Sequence, residues 1–213
     1  MNESYLTVSN TACDEIVIQK SRFIGYAAPC NTEEEAQQFV QKIREKHRDA
    51  RHHCYAYVIG LNSGIMRYSD DGEPGGTAGM PIMDVLKNEG IVNCCTVVFR
   101  YFGGILLGTG GLVRAYTQGC KIALQAANIV QMELSVLQRC RVSYAAWNQI
   151  QYSLQKLPVQ LNSVDYSDMI EFQLCSRLSD LNETVRILND LTVGKIIWMD
   201  SEEKYMPWSN QEP

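Results

Sequence analysis

Three carboxylates lie close together in a segment that is rich in glycine and proline. Asp70, Asp71 and Glu73 fall within Ser69–Pro81, which holds four glycines and two prolines in thirteen residues. Such residues fix special backbone angles, so the segment is predicted to be a shaped loop, here called the acidic loop. Its carboxylates could bind a metal or move a proton. The simpler interpretation, which we favour, is a rigid turn in which Asp70 or Asp71 accepts backbone amides and Glu73 is solvated.

A second candidate for chemistry is the glycine-rich segment Arg100–Tyr116, which carries five glycines and leads into a predicted helix. Backbone N–H groups at a helix start can surround an anion, and Arg100 and Arg114 would add charged hydrogen bonds to phosphate. The spacing matches neither a P-loop nor GxGxxG. Close backbone packing would explain the glycines equally well, so both interpretations stay open.

The histidines and cysteines offer weaker signals. On a strand, His52 and Cys54 would share one face and His53 would take the other, so the three are not expected to bind one metal. The chain has eight cysteines but no CxxC pair, and no GxSxG motif. Reduced, structural cysteines are therefore predicted, and neither a zinc or redox module nor a nucleophilic catalyst is supported.

Composition limits the possible partners. The 213 residues carry a net charge of −5, which opposes broad binding to nucleic acid. From Ile91 to Met132, however, the chain has no acidic residue, so a local basic surface is possible. No apolar run is long enough to span a bilayer, and the first residues do not resemble a signal peptide. A cytoplasmic location is the expectation.

Periodicity predicts an N-terminal α+β region. Strands are expected at Glu15–Tyr26, Cys54–Gly60, Ile65–Tyr68 and Cys94–Tyr101. Helices are expected at Thr32–Arg48, where Thr32 and Glu35 have capping-box spacing, after Pro81, and at Gly110–Ala127. A second region begins near Leu134 and alternates as βαββαβ, the ferredoxin-like order, with a last strand at 195–199. The predicted domains are residues 1–132 and 133–206, followed by a flexible tail at 207–213.

Several motifs occur together in a specific order. They are Lys20–Gly25, His53–Tyr57, Ser69–Pro74 with Gly76–Gly79, Arg100–Gly104 and Leu107–Tyr116. This set closely resembles the Impact family, in its bacterial YigZ-type form, over residues 14–130. The βαββαβ region resembles the small C-terminal domain of bacterial members. Ile105 and Leu106 take a position often held by a lysine-containing pair, so the family's basic character is weaker at that point.

The resemblance implies an N-terminal domain like domain 2 of ribosomal protein S5 and a C-terminal domain like the fifth domain of elongation factor G. It implies a non-enzymatic regulatory protein linked to translation, since eukaryotic relatives restrain a stress kinase that acts on translation initiation. Expected partners are the translation machinery, RNA or a regulatory protein, with no membrane, no DNA sequence specificity, no cofactor and no metal. The alternative is an enzyme, or a metal- or phosphate-binding protein, that uses a groove between the acidic loop and the glycine-rich segment.

The candidate residues follow from these two segments. No catalytic residue is assigned. The acidic loop and the glycine-rich segment are expected to lie side by side in one groove. Loop-shaping roles are assigned to Asp70, Asp71, Glu73 and Thr77, and partner contacts to Arg100, Tyr101, Gly103, Gly104, Thr109, Gly110, Arg114 and Tyr116.

Overall fold

The computed structural model describes residues 4–208, which form two compact units. Among these residues, the first unit comprises residues 4–131 together with Pro207 and Trp208. The second unit is Met132–Met206. Both combine helices with antiparallel sheet, so the predicted α+β class is confirmed. No helix in residues 4–208 is long and apolar enough to cross a membrane.

The first unit is built on one five-stranded sheet in the order β2-β3-β6-β4-β5, in which every neighbouring pair is antiparallel. Strand β1 lies outside this sheet and receives a hydrogen bond of 2.9 Å from Val92 N to Leu6 O. The elements are β1 (Ser4–Val8), β2 (Ala12–Ile18), β3 (Ser21–Pro29), α1 (Glu33–Lys46), β4 (His53–Ile59), β5 (Ile65–Ser69), α2 (Gly79–Asn88), β6 (Cys94–Tyr101) and α3 (Gly108–Ala126).

Helices cover both faces of this sheet. Ala36, Val40 and Ile43 of α1 pack against one face, together with Phe99 and Tyr57. Helices α2 and α3 pack against the other face, where Phe23, Val98 and Tyr116 are buried. Because helices cover both faces of β3 and β6, the sequences of these strands are nearly continuous apolar runs and do not alternate between apolar and polar residues.

The helix predicted from Thr32 is confirmed, with Thr32 as its N-terminal cap. Thr32 is the N-cap, and its Oγ1 accepts a hydrogen bond of 3.1 Å from the backbone N–H of Glu35. The Glu35 carboxylate reaches back one residue further than in a regular capping box and accepts from Asn31 N at 2.7 Å. The Glu35 N–H is one of the donors that the helix start leaves unpaired, and the second bond fixes the backbone at Asn31 just before the N-cap.

The single strand predicted at Glu15–Tyr26 is wrong. The chain turns at Gln19 and Lys20, so that β2 and β3 form a hairpin with Ile18 opposite Ser21. Both turn residues have positive φ, 45° and 64°, as a two-residue hairpin turn requires. The usual signal for such a turn is Asn-Gly or Asp-Gly, and neither is present here. Strand β1 was not predicted either.

The second unit has the predicted βαββαβ order. Its strands are arranged as β10-β7-β9-β8, and a core of Trp147, Ile150, Phe172 and Leu188 lies between the sheet and the helices. The elements are β7 (Ile129–Val142), α4 (Tyr144–Leu154), β8 (Val159–Tyr166), β9 (Ile170–Arg177), a 3-10 turn (Leu178–Asp180), α5 (Leu181–Leu191) and β10 (Ile197–Trp208).

The last strand is longer than predicted. Strand β10 continues to Trp208, whereas the sequence indicated an end near residue 199. Pro207 and Trp208, assigned to a flexible tail from the sequence, form the end of this strand. Residues 209–213 of that tail lie outside the described residues.

The eight cysteines are all free, and seven of them are buried, Cys13 being the exposed one. Burial raises the pKa of the Cys94 and Cys140 thiols to about 12. A buried, protonated thiol is a poor nucleophile, so these side chains act as small apolar residues.

Candidate functional site

Asp70 fixes the acidic loop to the start of α2. Its carboxylate accepts hydrogen bonds from the backbone N–H groups of Gly76 (2.8 Å), Ala78 (3.0 Å) and Gly79 (2.8 Å). Helix α2 begins at Gly79, so the negative charge lies at the positive end of the helix dipole. This is the rigid-turn role that the sequence favoured for Asp70.

Asp71 ties the same loop to α1 and to the start of β4. Its Oδ1 lies 2.8 Å from Arg44 NH2, and its Oδ2 accepts from the backbone N–H of His53 at 2.7 Å. Its carbonyl oxygen lies 2.8 Å from His52 Nδ1, which must donate because a carbonyl can only accept. Asp71 therefore holds both histidines in place.

Glu73 differs from the expectation of a solvated side chain. It is buried, with 3% of its side chain exposed, and both carboxylate oxygens contact Arg100 NH2, at 2.8 and 3.1 Å. Tyr116 donates its hydroxyl to the same carboxylate at 2.8 Å. Burial raises the pKa of the Tyr116 phenol well above its usual range, so it stays a donor. A buried carboxylate needs such partners, and the fold supplies them from β6 and α3.

These contacts leave the acidic loop little capacity for a metal. The oxygens of Asp70 accept three amides, those of Asp71 accept Arg44 and an amide, and those of Glu73 accept Arg100 and Tyr116. Between residues 4 and 208, no group of three or more His, Cys, Asp or Glu side chains is arranged to hold a metal ion. Thr77 completes the loop by donating its hydroxyl to Pro74 O at 2.7 Å.

An open cleft of about 450 Å³ lies next to this loop and is here called the cleft. The segment before β4 lines one part of it and the end of β6 with the following loop lines the rest. Its lining residues are Asp49, Arg51 and His52 from the first segment and Arg100, Tyr101, Phe102 and Leu106 from the second. The acidic loop contacts this lining through Glu73 and Asp71 but does not itself line the cleft.

The cleft joins positive charge to exposed aromatic surface. The Arg100 guanidinium lies 5.8 Å from the centre of the Phe102 ring. The Arg22 guanidinium, which is paired with Glu15 and does not line the cleft, lies 5.8 Å from the centre of the Tyr101 ring. Phe102 is 55% exposed and Leu106 86% exposed. Arg51 is exposed and has no ion-pair or hydrogen-bond partner among the described residues. Side chains of this kind bind planar, anionic ligands.

One carboxylate faces these cations. Asp49 Oδ1 accepts a hydrogen bond of 2.9 Å from Tyr101 OH, which also lies 3.5 Å from His47 Nδ1. On its other side, His47 Nε2 lies 3.1 Å from Tyr26 OH. The Asp49 side chain is thus oriented by a chain of hydrogen bonds that runs back into the core.

The structure separates the predicted contact residues into distinct places. Arg100 and Tyr101 line the cleft, and Gly103 packs so closely on the Lys20 backbone that a β-carbon would overlap it. Gly104 is exposed in the loop before α3, and Thr109, Gly110 and Arg114 are exposed in its first turns. Tyr116 is fully buried, so the predicted direct contact with a partner is corrected to a structural bond to Glu73.

Several cleft residues were missed from the sequence. Asp49 and Arg51 lie in a short connection between α1 and β4 that carries no motif, and only folding places it beside the end of β6. Phe102 and Leu106 did give a signal, since large apolar residues are unusual in an exposed glycine-rich loop. The glycines and arginines of that loop give the stronger motif signal, so its apolar side chains were not included in the predicted site.

Two histidines, the buried His53 and the partly buried His47, predict how stability depends on pH. Burial lowers the pKa of His53 and of His47 below the ordinary value near 6.5. The unfolded chain then binds more protons than the native one, so stability falls as pH drops from about 7 through the folded pKa values. We expect urea midpoints to fall over this range, and His53→Asn to flatten the fall. A midpoint that is constant or rises between about pH 7 and 5.5 would contradict this.

Comparison with known proteins identifies similar chains over almost the whole length. Residues 19–124 match the model of the Impact N-terminal domain. The chain is 40% identical to the IMPACT family member YvyE of Bacillus subtilis over 206 residues, which is 97% of this chain and 95% of that protein. It is 36% identical to the IMPACT family member YigZ of Escherichia coli over 188 residues, 87% of this chain and 92% of that one.

A solved structure is similar over the same extent. A crystal structure described as that of a hypothetical protein superposes with a TM-score of 0.60 at 34% identity and covers 93% of this chain and 98% of its own. The similarity therefore extends across both units of the chain and is not confined to the acidic loop and the glycine-rich segment.

Proposed function

Because the chain belongs to the Impact family, we propose that it is a non-enzymatic regulatory protein that acts on translation by binding RNA through the cleft. The observation that carries the proposal is that one open cleft is lined both by Arg51, whose guanidinium forms no ion pair among the described residues, and by the exposed ring of Phe102. Proteins that bind unpaired RNA combine positive charge for phosphates with aromatic rings on which bases stack.

Electrostatics near the cleft supports this choice. The whole chain carries −5, but no acidic residue occurs from Ile91 to Met132, the stretch that supplies one wall of the cleft and α3. Two of the carboxylates near the cleft are paired, Glu73 with Arg100 and Asp71 with Arg44. The third, Asp49, lines the cleft and forms no ion pair among the described residues. The unpaired guanidinium groups of Arg51 and Arg114 favour local contact with RNA over broad adhesion to it.

The start of α3 offers a place for the RNA backbone. Leu106 lines the cleft, and Leu107 is the N-cap of α3, with no side chain capping the first amides. The helix has no acidic residue in its first turn, and Arg114, in the second turn, is exposed without a carboxylate within ion-pair distance among the described residues. Free amides and an unpaired guanidinium suit a phosphate group. A base in the cleft would lie next to Leu106, and its phosphate would lie at the start of α3, which follows directly in the chain.

The link to translation rests on the family and on fold resemblance. We propose that the first unit resembles domain 2 of ribosomal protein S5 and the second the fifth domain of elongation factor G. The βαββαβ order and the strand arrangement β10-β7-β9-β8 are what the second resemblance requires. Fold resemblance alone does not assign a function, so RNA binding and ribosome association need separate tests.

RNA binding is tested by fluorescence anisotropy with a short, labelled, single-stranded RNA. We expect Phe102→Ala to weaken binding about tenfold, because stacking on an aromatic ring contributes about 1–3 kcal/mol per base. Arg51→Ala should weaken it at low salt and reduce the slope of log affinity against log salt by about 0.7, the value for one phosphate contact with a single strand.

The matched control is Arg67→Ala, which removes an exposed arginine on β5 whose carboxylate contact to Glu33 is long, at 3.7 Å. It should leave affinity and salt slope unchanged. Equal affinities for all three variants and the wild type would refute the cleft as the site. No binding by the wild type would refute RNA binding altogether.

Association with ribosomes is tested by sedimentation of cell extracts through sucrose gradients. We expect the wild-type protein to co-sediment with ribosomal particles, and Phe102→Ala to shift it toward the top of the gradient. If the wild type remains at the top at low salt, the translation link through the ribosome is wrong. If the wild type co-sediments with a protein partner and not with ribosomes, and Phe102→Ala loses that partner, the cleft recognises protein and not RNA.

A further inference from the structure

We propose that the cleft selects an unpaired guanine and that Asp49 is the residue that determines this preference. The inference rests on the proposed RNA binding and names the base that the site would take. A volume of about 450 Å³ suits a small planar group rather than a folded helix of RNA. The cleft holds one carboxylate, that of Asp49, among guanidinium and aromatic groups.

Asp49 is placed as an acceptor whose charge is not neutralised. Its Oδ1 accepts from Tyr101 OH at 2.9 Å, and it forms no ion pair within the described part of the chain. Its second oxygen, Oδ2, has no hydrogen-bond partner there. One Oδ1 lone pair and the whole of Oδ2 therefore remain available for donors of a ligand. The bond from Tyr101 holds the carboxylate in one orientation, which a specific contact requires.

Guanine complements this arrangement better than the other bases. Its Watson–Crick edge presents two neighbouring donors, N1–H and the N2 amino group, which one carboxylate can accept together. Its O6 and N7 are acceptors that an arginine satisfies in a bidentate contact. Arg51 lies two residues from Asp49 and has no partner of its own. Phe102 then supplies the stacking surface.

The other three bases each leave an acceptor facing the carboxylate. Adenine places N1 beside its amino group, and cytosine places N3 beside its own, so one carboxylate oxygen would meet a lone pair. Uracil offers a single N3–H donor between two carbonyl oxygens. Opposed acceptors are costly because they lose water without gaining a hydrogen bond. A single well-placed pair of hydrogen bonds separates bases by about tenfold or more.

The test compares short oligouridine RNAs that carry guanine, adenine, cytosine, uracil or hypoxanthine at one central position. Anisotropy should show the guanine RNA binding about tenfold more tightly than the adenine, cytosine and uracil RNAs. Hypoxanthine lacks the N2 amino group and should fall between guanine and the rest. In Asp49→Asn the guanine preference should fall to within about twofold. Tyr101→Phe, which keeps the carboxylate but removes its hydrogen bond, should reduce the preference in part.

The control is Asp84→Asn, an exposed carboxylate on α2 that should leave both affinity and preference unchanged. Asp49 is exposed, so its variant should keep the wild-type melting temperature. If all the RNAs bind equally, or if Asp49→Asn keeps the full preference, the guanine proposal is overturned, while RNA binding in the cleft is judged separately by Phe102→Ala and Arg51→Ala. If none of the RNAs binds, the proposed function fails and the guanine proposal fails with it.

Discussion

Glu73→Gln is expected to lower the free energy of unfolding of the first unit by about 3–5 kcal/mol, the usual effect of removing one partner from a buried ion pair. Glu73 is 3% exposed in its side chain and Arg100 13%, and both Glu73 oxygens contact the guanidinium. Glutamine would leave the Arg100 charge unbalanced and would place an amide N–H₂ against the donors of Arg100 and Tyr116. The loss should be read from urea-dependent hydrogen exchange in peptides of β6 and α3.

Exchange is preferred to tryptophan fluorescence because Trp147 and Trp198 lie in the second unit and Trp208 in the first, so the fluorescence would mix the two units. Glu89→Gln is the matched control. Its carboxylate lies 3.9 Å from Lys121 Nζ, both side chains are about half exposed, and such pairs contribute little. We expect a change below about 0.5 kcal/mol for the control. A loss below about 1 kcal/mol for Glu73→Gln would show that the buried pair does not hold the loop to β6.

Gly25→Ala is the second substitution with a large expected effect on stability. Gly25 lies on β3 where α3 crosses the sheet. An added β-carbon would overlap the carbonyl oxygen of Gly119 and lie 2.9 Å from Ala123 Cβ. Since the obstructing oxygen belongs to the backbone of a helix packed in the core, α3 itself would have to move. We expect a loss of about 3 kcal/mol, at the upper end of the range for overpacked cores, by the same exchange measurement.

Gly119→Ala makes the control, because it adds the same methyl group to the facing element. There the β-carbon would meet Val98 Cγ1 at 2.8 Å, a methyl group of a buried and stiff side chain that must also shift, although no backbone need move. Alanine also favours a helix interior over glycine by about 1 kcal/mol, which offsets part of the clash. The net loss should therefore be smaller than that of Gly25→Ala by about 1 kcal/mol or more. Equal losses for the two variants would contradict the account of the close approach between α3 and β3.

Elements with strong local signals were predictable from sequence. Strand β6 was predicted with its observed bounds because Cys94–Tyr101 is an apolar, β-branched and aromatic run. The β2–β3 turn was missed because Gln19 and Lys20 adopt positive φ without the residues that favour it, and the pairing of two strands stabilises the turn. Local sequence preference is weak evidence where tertiary contacts decide the backbone conformation.

The role of Asp70 in the acidic loop could be predicted from the sequence, whereas most of the residues that line the cleft could not. Asp70 behaves as its neighbours Gly76 and Gly79 suggested, because an aspartate in a glycine-rich turn accepts nearby amides. The burial of Glu73 depends on Arg100 and on Tyr116, which are distant in sequence, and no local pattern reports such a contact. The position of Asp49 beside Tyr101 depends in the same way on how β4 pairs with β6.

The central claim, that the cleft binds RNA, is tested most directly by backbone amide NMR during titration with a short guanine-containing RNA. The account predicts that resonances of residues 49–52 and 100–106 shift first and saturate together. It predicts that those of the groove between α2 and α3, which Met80 and Val113 line, stay unchanged. Saturable shifts confined to the α2–α3 groove or to the second unit, with residues 49–52 and 100–106 unaffected, would contradict the claim.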